Sequence, residues 1–405
     1  MIPFTRPAVV GTEIEHLRAV VESGALAGNG STGRACERRL ERDTGCRRVL
    51  LTPSCTAALE LAALVLEVGP GDEVIMPSFT FPSTANAFAL RGAQLVFVDV
   101  RPDTLNLDET LIEAALTDRT RGIVPVHYAG VGCAMDPILE IARAHGLWVV
   151  EDAAQGLGAT YRDRALGTLG DIGCLSFHAT KGVTAGGEGG AMLINLPELT
   201  QRAEIGQEKG TDRSRFQRGE VARYTWQGLG SSHLMSELQA AFLLAQLSAA
   251  DQMQKRRREL WDGYEQALRP VAQYVDLPVV PPETQHNAHL FGLRTKDADG
   301  RDTLIAALRE AGVTATTHYE PLHGSPAGRR YGRFSGTDRV TTDSSRRLVR
   351  LPLFHTMTDA EHRTVIDAVL SHYRRSSRSE AAMGGVASAE AMTGEMTSGE
   401  VTGDR

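Results

Sequence analysis

Five short apolar runs without polar alternation most constrain how this chain can fold. They are Val49-Leu50-Leu51, Val74-Ile75-Met76, Leu95-Val96-Phe97-Val98, Gly122-Ile123-Val124-Pro125-Val126 and Trp148-Val149-Val150. Stretches with the apolar spacing of helices separate several of them, for example Ala57 to Leu66, Asp108 to Leu116 and Met135 to His145. A strand that is apolar throughout is buried on both faces, so the runs predict an α/β fold with a mostly parallel sheet covered by helices.

Distinctive polar and aromatic residues follow these runs at the point where each strand ends. Phe79-Thr80-Phe81 follows the second run, His127-Tyr128 follows the fourth, and Asp152 follows the fifth. In open parallel sheets a ligand binds at the carboxyl ends of the strands, so these residues are expected to line one site.

A lysine lies farther along the chain, between an apolar segment and a glycine-rich loop. Lys181 ends Ser176-Phe177-His178-Ala179-Thr180-Lys181, and Gly186-Gly187-Glu188-Gly189-Gly190 follows. Taken alone, such a lysine is usually a solvated surface residue, and an aspartate after a strand is usually a helix cap. Together, in this order, Lys181 and Asp152 predict a pyridoxal phosphate site. The lysine amine forms a Schiff base with the cofactor aldehyde, and the carboxylate keeps the ring nitrogen protonated.

The cofactor phosphate is assigned to the turn after the first strand. Small and hydroxyl residues at a strand-to-helix turn leave backbone amides at the positive end of the helix dipole. We expect Thr56 and Ala57 to hold the phosphate there, with Ser176 adding a contact. Ordinary capping of the helix by Ser54 is the alternative interpretation of this turn.

Two further residues are candidates for contacts with the cofactor ring. Phe81 is placed to stack on the ring, although an aromatic side chain this close to a sheet is more often part of the core. Gln155 lies about one helical turn beyond Asp152 and is placed to hydrogen-bond the ring hydroxyl.

These motifs together resemble the DegT/DnrJ/EryC1/StrS family of sugar aminotransferases, over roughly residues 1 to 374. The motifs that carry the resemblance are Thr52-Pro53-Ser54-Cys55-Thr56, Pro77-Ser78-Phe79-Thr80-Phe81, Pro125-Val126-His127-Tyr128-Ala129-Gly130, Glu151-Asp152-Ala153-Ala154-Gln155, and Ser176-Phe177-His178 with Lys181. Within the family, the sequence is most similar to the transaminases that form dTDP-4-amino-4,6-dideoxygalactose.

The resemblance implies the pyridoxal phosphate-dependent transferase fold of the aspartate aminotransferase class, fold type I. It also implies a homodimer with active sites at the subunit interface, L-glutamate as amino donor and dTDP-4-keto-6-deoxy-D-glucose as acceptor. The product would be a dTDP-4-amino-4,6-dideoxyhexose of galacto or gluco configuration. The roles carried over are the Schiff-base lysine for Lys181, the ring-nitrogen partner for Asp152, the ring-hydroxyl partner for Gln155, the stacking residue for Phe81, and phosphate contacts for Thr56, Ala57 and Ser176.

One loop departs from the family pattern. Many members place an asparagine from the neighbouring subunit on the cofactor phosphate, whereas this chain has Gly230-Ser231-Ser232-His233-Leu234 there. The hydroxyl of Ser232 is still able to donate a hydrogen bond, so we assign this contact to Ser232.

Substrate contacts are expected from two other loops. The charged stretch Gly210 to Gln227 is a solvated loop or an interfacial loop whose arginines face the substrate diphosphate, with Arg223 and Tyr224 as candidates. His318 and Tyr319 are expected to line the sugar pocket, with simple packing as the alternative.

The expected domains are a large cofactor-binding domain with an N-terminal arm at 1–255, a smaller α+β domain at 256–374 and a disordered tail at 375–405. A long, kinked helix from Ser236 to Leu268 would connect the domains. In the smaller domain, Leu290 to Leu293 and Val313 to Thr316 are expected strands around a helix from Asp302 to Ala311. The tail lacks aromatic residues, which is typical of disorder.

Composition excludes several other classes of function. A formal net charge of -7 gives no basic surface for nucleic acid. The chain shows no apolar run of the roughly 20 residues that a membrane span needs, and its first residues lack the apolar core of a signal peptide. Five widely spaced cysteines without a CxxC pair favour reduced thiols in the cytoplasm over disulfides or a metal site.

Three alternative functions stay open. A dehydratase on this fold would lose the lysine, so Lys181 argues against it. An aminotransferase that acts at C3, or on another nucleotide-linked keto sugar or a cyclitol, is the stronger alternative, because no nucleotide-specific motif is recognisable. A non-catalytic regulator of the same fold would usually carry a fused DNA-binding domain or a disrupted site, and the sequence shows neither.

Overall fold

The computed structural model describes residues 1–7 and 9–375, so all of the expected tail except Arg375 lies outside the described residues. The helices are α1 Glu13–Ser23, α2 Ser31–Thr44, α3 Cys55–Val65, α4 Pro82–Ala89, α5 Ile112–Ala115, α6 Met135–His145, α7 Thr200–Gln207, α8 Arg213–Gln217, α9 Glu237–Ser248, α10 Ala250–Leu268, α11 Ala298–Glu310, α12 Pro326–Tyr331 and α13 Thr341–Arg347, and residues 359–375 are also helical. The strands are β1 Arg48–Thr52, β2 Glu73–Pro77, β3 Gln94–Val98, β4 Thr120–Ile123, β5 Trp148–Asp152, β6 Thr160–Tyr161, β7 Arg164–Ala165, β8 Ile172–Ser176, β9 Gly190–Ile194, β10 Val275–Asp276, β11 Thr284–Gln285, β12 Phe291–Thr295, β13 Gly332–Phe334 and β14 Leu348–Leu351.

An eight-stranded main sheet organises the first part of the chain, in the order β1-β9-β8-β5-β4-β2-β3-β13. The five pairs from β8 to β13 are parallel, whereas β9 lies antiparallel between β1 and β8. The mostly parallel sheet predicted from the apolar runs is therefore confirmed.

Both faces of this sheet are covered, as the unbroken apolar runs require. Val74 and Met76 of β2 pack in the core that contains α3 and α4, whereas Ile75 between them packs in the core that contains α6. Successive side chains of one strand thus enter two different cores, so a polar residue on either face would lose its water. The carboxyl ends of the parallel strands remain free for a site.

A second unit contains the three-stranded sheet β10-β12-β14, which is antiparallel and packs on α10, α11 and the helical residues 359–375. The predicted long helix is present as α9 and α10, with a break at Ala249. Met253 near the start of α10 packs in the core of the first unit, and Leu260 and Tyr264 pack in that of the second. This one helix therefore connects the two cores.

Several segments cross the expected boundary at residue 255. Ile2 forms a bridge with Val313 and packs in the second core, while β13 joins the edge of the main sheet beside β3. The division into 1–255 and 256–374 accordingly stays a prediction.

The strand expected at Val313 to Thr316 is wrong. This segment makes only two isolated bridges, from Val313 to Ile2 and from Thr316 to Arg350. The central strand β12 pairs instead with β14, a strand that was not expected because Arg350 interrupts its apolar run. The helix expected from Asp108 to Leu116 is also shorter, a 3₁₀ turn at Glu109–Leu111 followed by α5.

Helix α1 buries a different face from the one that its apolar spacing indicates. Ile14 and Val21 are 63% and 61% exposed, while Glu13 is buried. The Glu13 carboxylate accepts hydrogen bonds from the backbone amides of Val10 and Gly11 and from Gln246, which explains how a charge is accommodated there. Among the helices that the structure describes, none has the length and apolar character needed to cross a membrane.

Candidate active site

Lys181 lies in a turn directly after β8, at the carboxyl edge of the main sheet. Its backbone amide donates to the carbonyl of His178 at 2.9 Å, which closes the turn. The side chain lines a cleft of about 820 Å³ between this edge of the sheet and the second unit. Burial lowers the pKa of the Lys181 amine, so the neutral, nucleophilic form is easier to reach than for a surface lysine.

Asp152 is the last residue of β5, the strand beside β8 in the main sheet, and lines the same cleft. Its carboxylate is 5% exposed and is held by two donors: the Thr84 hydroxyl at 2.6 Å and the Ala154 amide at 3.1 Å. Thr84 in turn lies 2.8 Å from the hydroxyl of Thr80. Since the Thr84 proton goes to the carboxylate, Thr80 must donate to Thr84, and the two threonines form a short relay that orients Asp152.

The turn before α3 forms one end of the cleft. Ser54 caps the helix by accepting a hydrogen bond from the Ala57 amide at 3.1 Å, as the alternative interpretation had it. The Ala57 amide therefore already has a partner, and its contact with a phosphate stays a prediction. Cys55 and Thr56 line the cleft at the first turn of α3, where amides lack partners within the helix.

Close packing behind this turn requires glycine at position 190. A Cβ atom at Gly190 would lie 2.3 Å from the carbonyl carbon of Ser54 and 2.4 Å from the amide nitrogen of Cys55. Any other residue would push β9 away from the turn. Ser176, at the end of the neighbouring strand β8, lines the cleft as well.

Phe81 and Gln155 line the middle of the cleft. Phe81 is 59% exposed, so it belongs to the cleft surface rather than to the core. The side-chain oxygen of Gln155 accepts from the Ala129 amide at 2.7 Å, and its nitrogen donates to the Tyr319 hydroxyl at 3.1 Å. The contact of Gln155 with a ring hydroxyl stays a prediction.

The second unit supplies an aromatic wall. His318 and Tyr319 line the cleft, and their rings are stacked with centroids 3.7 Å apart; their contact with a sugar stays a prediction. The Tyr128 hydroxyl lies 3.1 Å from Nδ1 of His318. Burial lowers the pKa of His318 to about 2, so this ring is neutral at ordinary pH.

Besides Ala57, three candidate residues do not line the cleft of their own chain. Arg223, Tyr224 and Ser232 are exposed and lie in the segment between α8 and α9. Their roles were assigned across a subunit interface, which a single chain does not test, and they stay predictions.

Two groups of residues at the site were not singled out from the sequence. Thr84, which binds Asp152, is four residues after Thr80, and this spacing was a usable signal for a second hydroxyl there. Arg257 and Arg350 also line the cleft. A single arginine in the otherwise apolar Leu348–Leu351 was the signal for Arg350.

The residues at this site fit pyridoxal phosphate. The cleft has a lysine whose amine has a lowered pKa, a carboxylate oriented by two donors, an exposed aromatic face, and first-turn amides of a helix at one end. Lys181 and Asp152 would hold the aldehyde carbon and the ring nitrogen, while Cys55, Thr56 and Ser176 would hold the phosphate.

Comparisons with known proteins agree with this fit. Residues 7–370 match the DegT/DnrJ/EryC1/StrS aminotransferase family. The spore coat polysaccharide biosynthesis protein SpsC of Bacillus subtilis (strain 168) is 35% identical over 376 residues, 91% of this chain and 96% of SpsC. The structure of S. venezuelae DesV in complex with a ketimine intermediate superposes with a TM-score of 0.83 at 32% identity, covering 91% of this chain and 97% of DesV. The PLP form of Spr1654 from Streptococcus pneumoniae gives 0.84 at 27% identity, covering 92% and 99%.

Proposed function

We propose, on the premise that this chain belongs to the DegT/DnrJ/EryC1/StrS aminotransferase family, that it moves the amino group of L-glutamate to C4 of dTDP-4-keto-6-deoxy-D-glucose. The coarser activity, that of a pyridoxal phosphate-dependent sugar aminotransferase, follows from the family and its solved relatives. The products would be 2-oxoglutarate and a dTDP-4-amino-4,6-dideoxyhexose.

The observation that carries the proposal is that Lys181 and Asp152 line one cleft. A dehydratase or a regulator of the same fold has no need for a lysine whose amine has a lowered pKa facing an oriented carboxylate. Aminotransfer needs both groups.

When bound, pyridoxal phosphate supplies an aldehyde that accepts the amino group and a ring that draws electrons from the neighbouring carbon. Lys181 would hold the aldehyde carbon of the cofactor, and as a free amine it would act beside the reacting carbon. Its Nζ takes the proton from the α-carbon of glutamate, and in the second half-reaction it returns a proton to C4 of the sugar. Burial lowers the pKa of Lys181, which favours the free amine in both roles.

Asp152 would hold the ring nitrogen of the cofactor. The Thr84 hydroxyl and the Ala154 amide fix the orientation of the carboxylate, so no side-chain rotation is needed during the reaction. The helix terminus at α3 holds the phosphate end in place, which leaves the opposite wall of the cleft for the two substrates.

A sugar acceptor fits that opposite wall. The stacked rings of His318 and Tyr319 offer a flat apolar face with polar edges, on which the C–H face of a pyranose can pack. The cleft volume of about 820 Å³ lies in the upper part of the range for small-molecule sites. The name of SpsC refers to polysaccharide biosynthesis, which supports a role in supplying a sugar unit.

A homodimer is part of the proposal. Ile14 and Val21 on α1 and Trp226 beside the candidate residues Arg223 and Tyr224 are exposed, and Trp226 is 77% exposed. Large apolar side chains in that number indicate a covered surface. Light scattering on purified protein would measure the mass, and a monomer at micromolar concentration would contradict the interfacial roles of Arg223, Tyr224 and Ser232.

We also place the protein in the cytoplasm. All five cysteines carry free thiols, four of them buried. Thiols in this state are typical of a reducing compartment. Fractionation of the native cells, with detection of the protein and of a known cytoplasmic marker, would test the location.

The experiment that tests the reaction is a proton NMR spectrum of the product. Purified protein is incubated with pyridoxal phosphate, L-glutamate and dTDP-4-keto-6-deoxy-D-glucose, and with Lys181→Ala as the matched control. An amine at C4 that forms with wild type alone would confirm the proposal. Its couplings to H3 and H5 would then distinguish an axial amine, galacto, from an equatorial amine, gluco.

Failure has two distinguishable forms. Formation of 2-oxoglutarate without an amino sugar would support L-glutamate as the donor and refute dTDP-4-keto-6-deoxy-D-glucose as the acceptor. An amine at C3, or turnover with another nucleotide-linked keto sugar, would refute the proposed reaction at C4 and support the alternative aminotransferase.

A further inference from the structure

A histidine behind the aromatic wall connects two distant parts of the chain. His323 lies in a 3₁₀ turn, Leu322–Gly324, four residues after Tyr319. Its Nδ1 atom lies 2.6 Å from the hydroxyl of Ser78, and its Nε2 atom lies 3.1 Å from Oδ2 of Asp338. Ser78 directly follows β2 of the main sheet, whereas Asp338 precedes α13. His323 therefore lies between the edge of the main sheet and the segment that leads into α13.

The proton positions on the His323 ring follow from its two neighbours. A carboxylate accepts and does not donate, so in the neutral ring the Nε2 atom beside Asp338 carries the proton. Nδ1 is then an acceptor, and the Ser78 hydroxyl donates to it. Ser78 is fully buried, and across residues 1–7 and 9–375 its hydroxyl has no hydrogen-bond partner other than His323. Without this ring nitrogen, a buried hydroxyl would be left unpaired.

Other contacts hold the same segment on the main sheet. The Leu322 amide donates to the carbonyl of Ser78 at 3.0 Å, and the Leu322 side chain packs in the core that contains α3 and α4. Phe79, next to Ser78, packs edge-to-face on the Tyr319 ring, with centroids 5.6 Å apart. Because only three residues separate Tyr319 from His323, a displacement of His323 shifts Tyr319 as well.

We propose that His323 is a positioning residue for the acceptor sugar. Its bond to Ser78 holds His318 and Tyr319 in the place where the C–H face of a pyranose packs. Within the described part of the chain, neither His323 nor Ser78 nor Asp338 lines the cleft, so they act on a ligand only through the wall. A wall that is ordered before the sugar arrives reduces the entropy lost on binding. The inference deepens the proposed function and rests on it for the acceptor being a nucleotide-linked sugar.

The cofactor end of the cleft is held independently of this bond. Asp152 is fixed by Thr84 and Ala154, and Lys181 lies in a turn closed by its own backbone bond to His178. These contacts belong to elements of the main sheet. Loss of the bond between His323 and Ser78 should therefore affect the sugar and leave the donor half-reaction unchanged.

The test uses two replacements of His323 that separate the roles of its two nitrogens. Asparagine places its amide near the position of Nδ1, so His323→Asn keeps a partner for Ser78. Glutamine places its amide near the position of Nε2, so His323→Gln keeps the contact with Asp338 and loses the bond to Ser78. Ser78→Ala removes the same bond from the other side. His362→Asn is the matched control, because His362 is a buried histidine that packs on Tyr264 of the second core and does not line the described cleft.

Calorimetry on the holoenzyme measures the Kd of dTDP-D-glucose, which has no keto group to react, and of dTDP. We expect His323→Gln and Ser78→Ala to raise the Kd of dTDP-D-glucose about 3- to 10-fold, the equivalent of one neutral hydrogen bond. The Kd of dTDP should be unchanged, because the nucleotide alone lacks the ring that packs on the wall. His323→Asn and His362→Asn should bind both ligands as wild type does.

Single-turnover measurements of the two half-reactions give a second readout. Conversion of the cofactor by the keto sugar should need about 3- to 10-fold more acceptor in His323→Gln at an unchanged limiting rate, while conversion by L-glutamate should keep its concentration dependence. An equal Kd of dTDP-D-glucose in wild type, His323→Gln and Ser78→Ala overturns the inference. So does an equal loss in both half-reactions, or a loss in His362→Asn of the same size, since either would reflect general destabilisation.

Failure of the proposed function looks different. If L-glutamate converts the wild-type cofactor and the keto sugar does not convert it back, the proposed acceptor is wrong. Hydrogen exchange of the Leu322 amide, which donates to Ser78, then decides the positioning role without a ligand. Faster exchange in His323→Gln than in His323→Asn supports that role, and equal exchange overturns it.

Discussion

Replacement of Thr84 by valine should weaken both the fold and the cofactor site. Thr84 is fully buried and donates a hydrogen bond of 2.6 Å to Asp152 while lying 2.8 Å from the Thr80 hydroxyl. Valine has nearly the same shape, so the change removes the hydroxyl and leaves the packing almost intact. The carboxylate loses one of its two donors, and the Thr80 hydroxyl, only 1% exposed, loses its acceptor.

The size of the effect follows from these two losses. A hydrogen bond to a charged group contributes about 1.5–3 kcal/mol, and a buried hydroxyl left without a partner costs about 1–3 kcal/mol. Thr84→Val should therefore lower the free energy of unfolding of the cofactor-free protein by about 2.5–6 kcal/mol. Thr84→Ser keeps the hydroxyl and loses a methyl group, so we expect a cost of about 1 kcal/mol.

Urea unfolding of the four proteins, wild type, Thr84→Val, Thr84→Ser and Thr80→Val with Thr84→Val, would measure these differences. The double variant removes both members of the relay and should recover about 1–3 kcal/mol relative to Thr84→Val, because no hydroxyl is then left unpaired. Its cofactor affinity should stay as low as that of Thr84→Val, since Asp152 lacks the same donor in both. A double variant less stable than Thr84→Val, or cofactor affinity equal to that of wild type in both, would refute the relay.

Three further predictions concern groups at and around the site. Lys181→Ala should lower turnover by at least about 10²–10⁴-fold while leaving the unfolding midpoint of the cofactor-free protein unchanged, measured by product formation and circular dichroism; retained turnover would contradict the role of Lys181. Glu151→Ala should lower the free energy of unfolding by at least about 3 kcal/mol, because the buried carboxylate accepts hydrogen bonds from three backbone amides and lies 2.8 Å from the His127 ring. A cost below about 1 kcal/mol in urea unfolding would be incompatible with these hydrogen bonds. Burial raises the pKa of Asp99, but the hydrogen bonds that it accepts from the backbone of 339–341 and the Thr341 hydroxyl outweigh burial and lower the pKa below 3.8. A lowered carboxyl pKa gives stability that is present above the unfolded-state pKa and is lost as pH falls through the folded-state pKa. The difference in free energy of unfolding between wild type and Asp99→Asn should therefore be constant from about pH 7 to pH 5 and shrink below about pH 4.

The framework of the fold could be predicted because each strand and helix carries its own local signal. The apolar runs at 49–51 and 74–76 lie within β1 and β2, and α6 begins and ends at the residues expected, Met135 and His145. Buried strands need apolar residues on both faces, and a glycine such as Gly146 ends a helix in the left-handed conformation. Lys181 and Asp152 could be paired for the same reason, since each follows a strand of one parallel sheet.

Residues that meet only through tertiary packing could not be placed in this way. Thr84 lies on α4, which follows β2, and Asp152 ends β5. Only β4 lies between these two strands in the sheet, so Thr84 reaches Asp152. Arg350 reaches the cleft because β14 pairs with β12, more than fifty residues earlier. The expected strand at 313–316 failed because its apolar residues bury themselves against Ile2 and the second core without forming a ladder.

The two ends of the cleft come from parts of the chain that fold around different cores. The anchor, the ring-nitrogen carboxylate and the helix terminus belong to elements of the main sheet, whereas the aromatic wall and Arg350 belong to the second unit. The wall also contacts the main-sheet side directly, because Tyr319 packs against the cluster that contains Phe79 and Tyr128 and its hydroxyl accepts a hydrogen bond from Gln155. The cofactor end could thus be derived from strand ends and short motifs, whereas at the substrate end His318 and Tyr319 were predicted and Arg350 became apparent only in the packed structure.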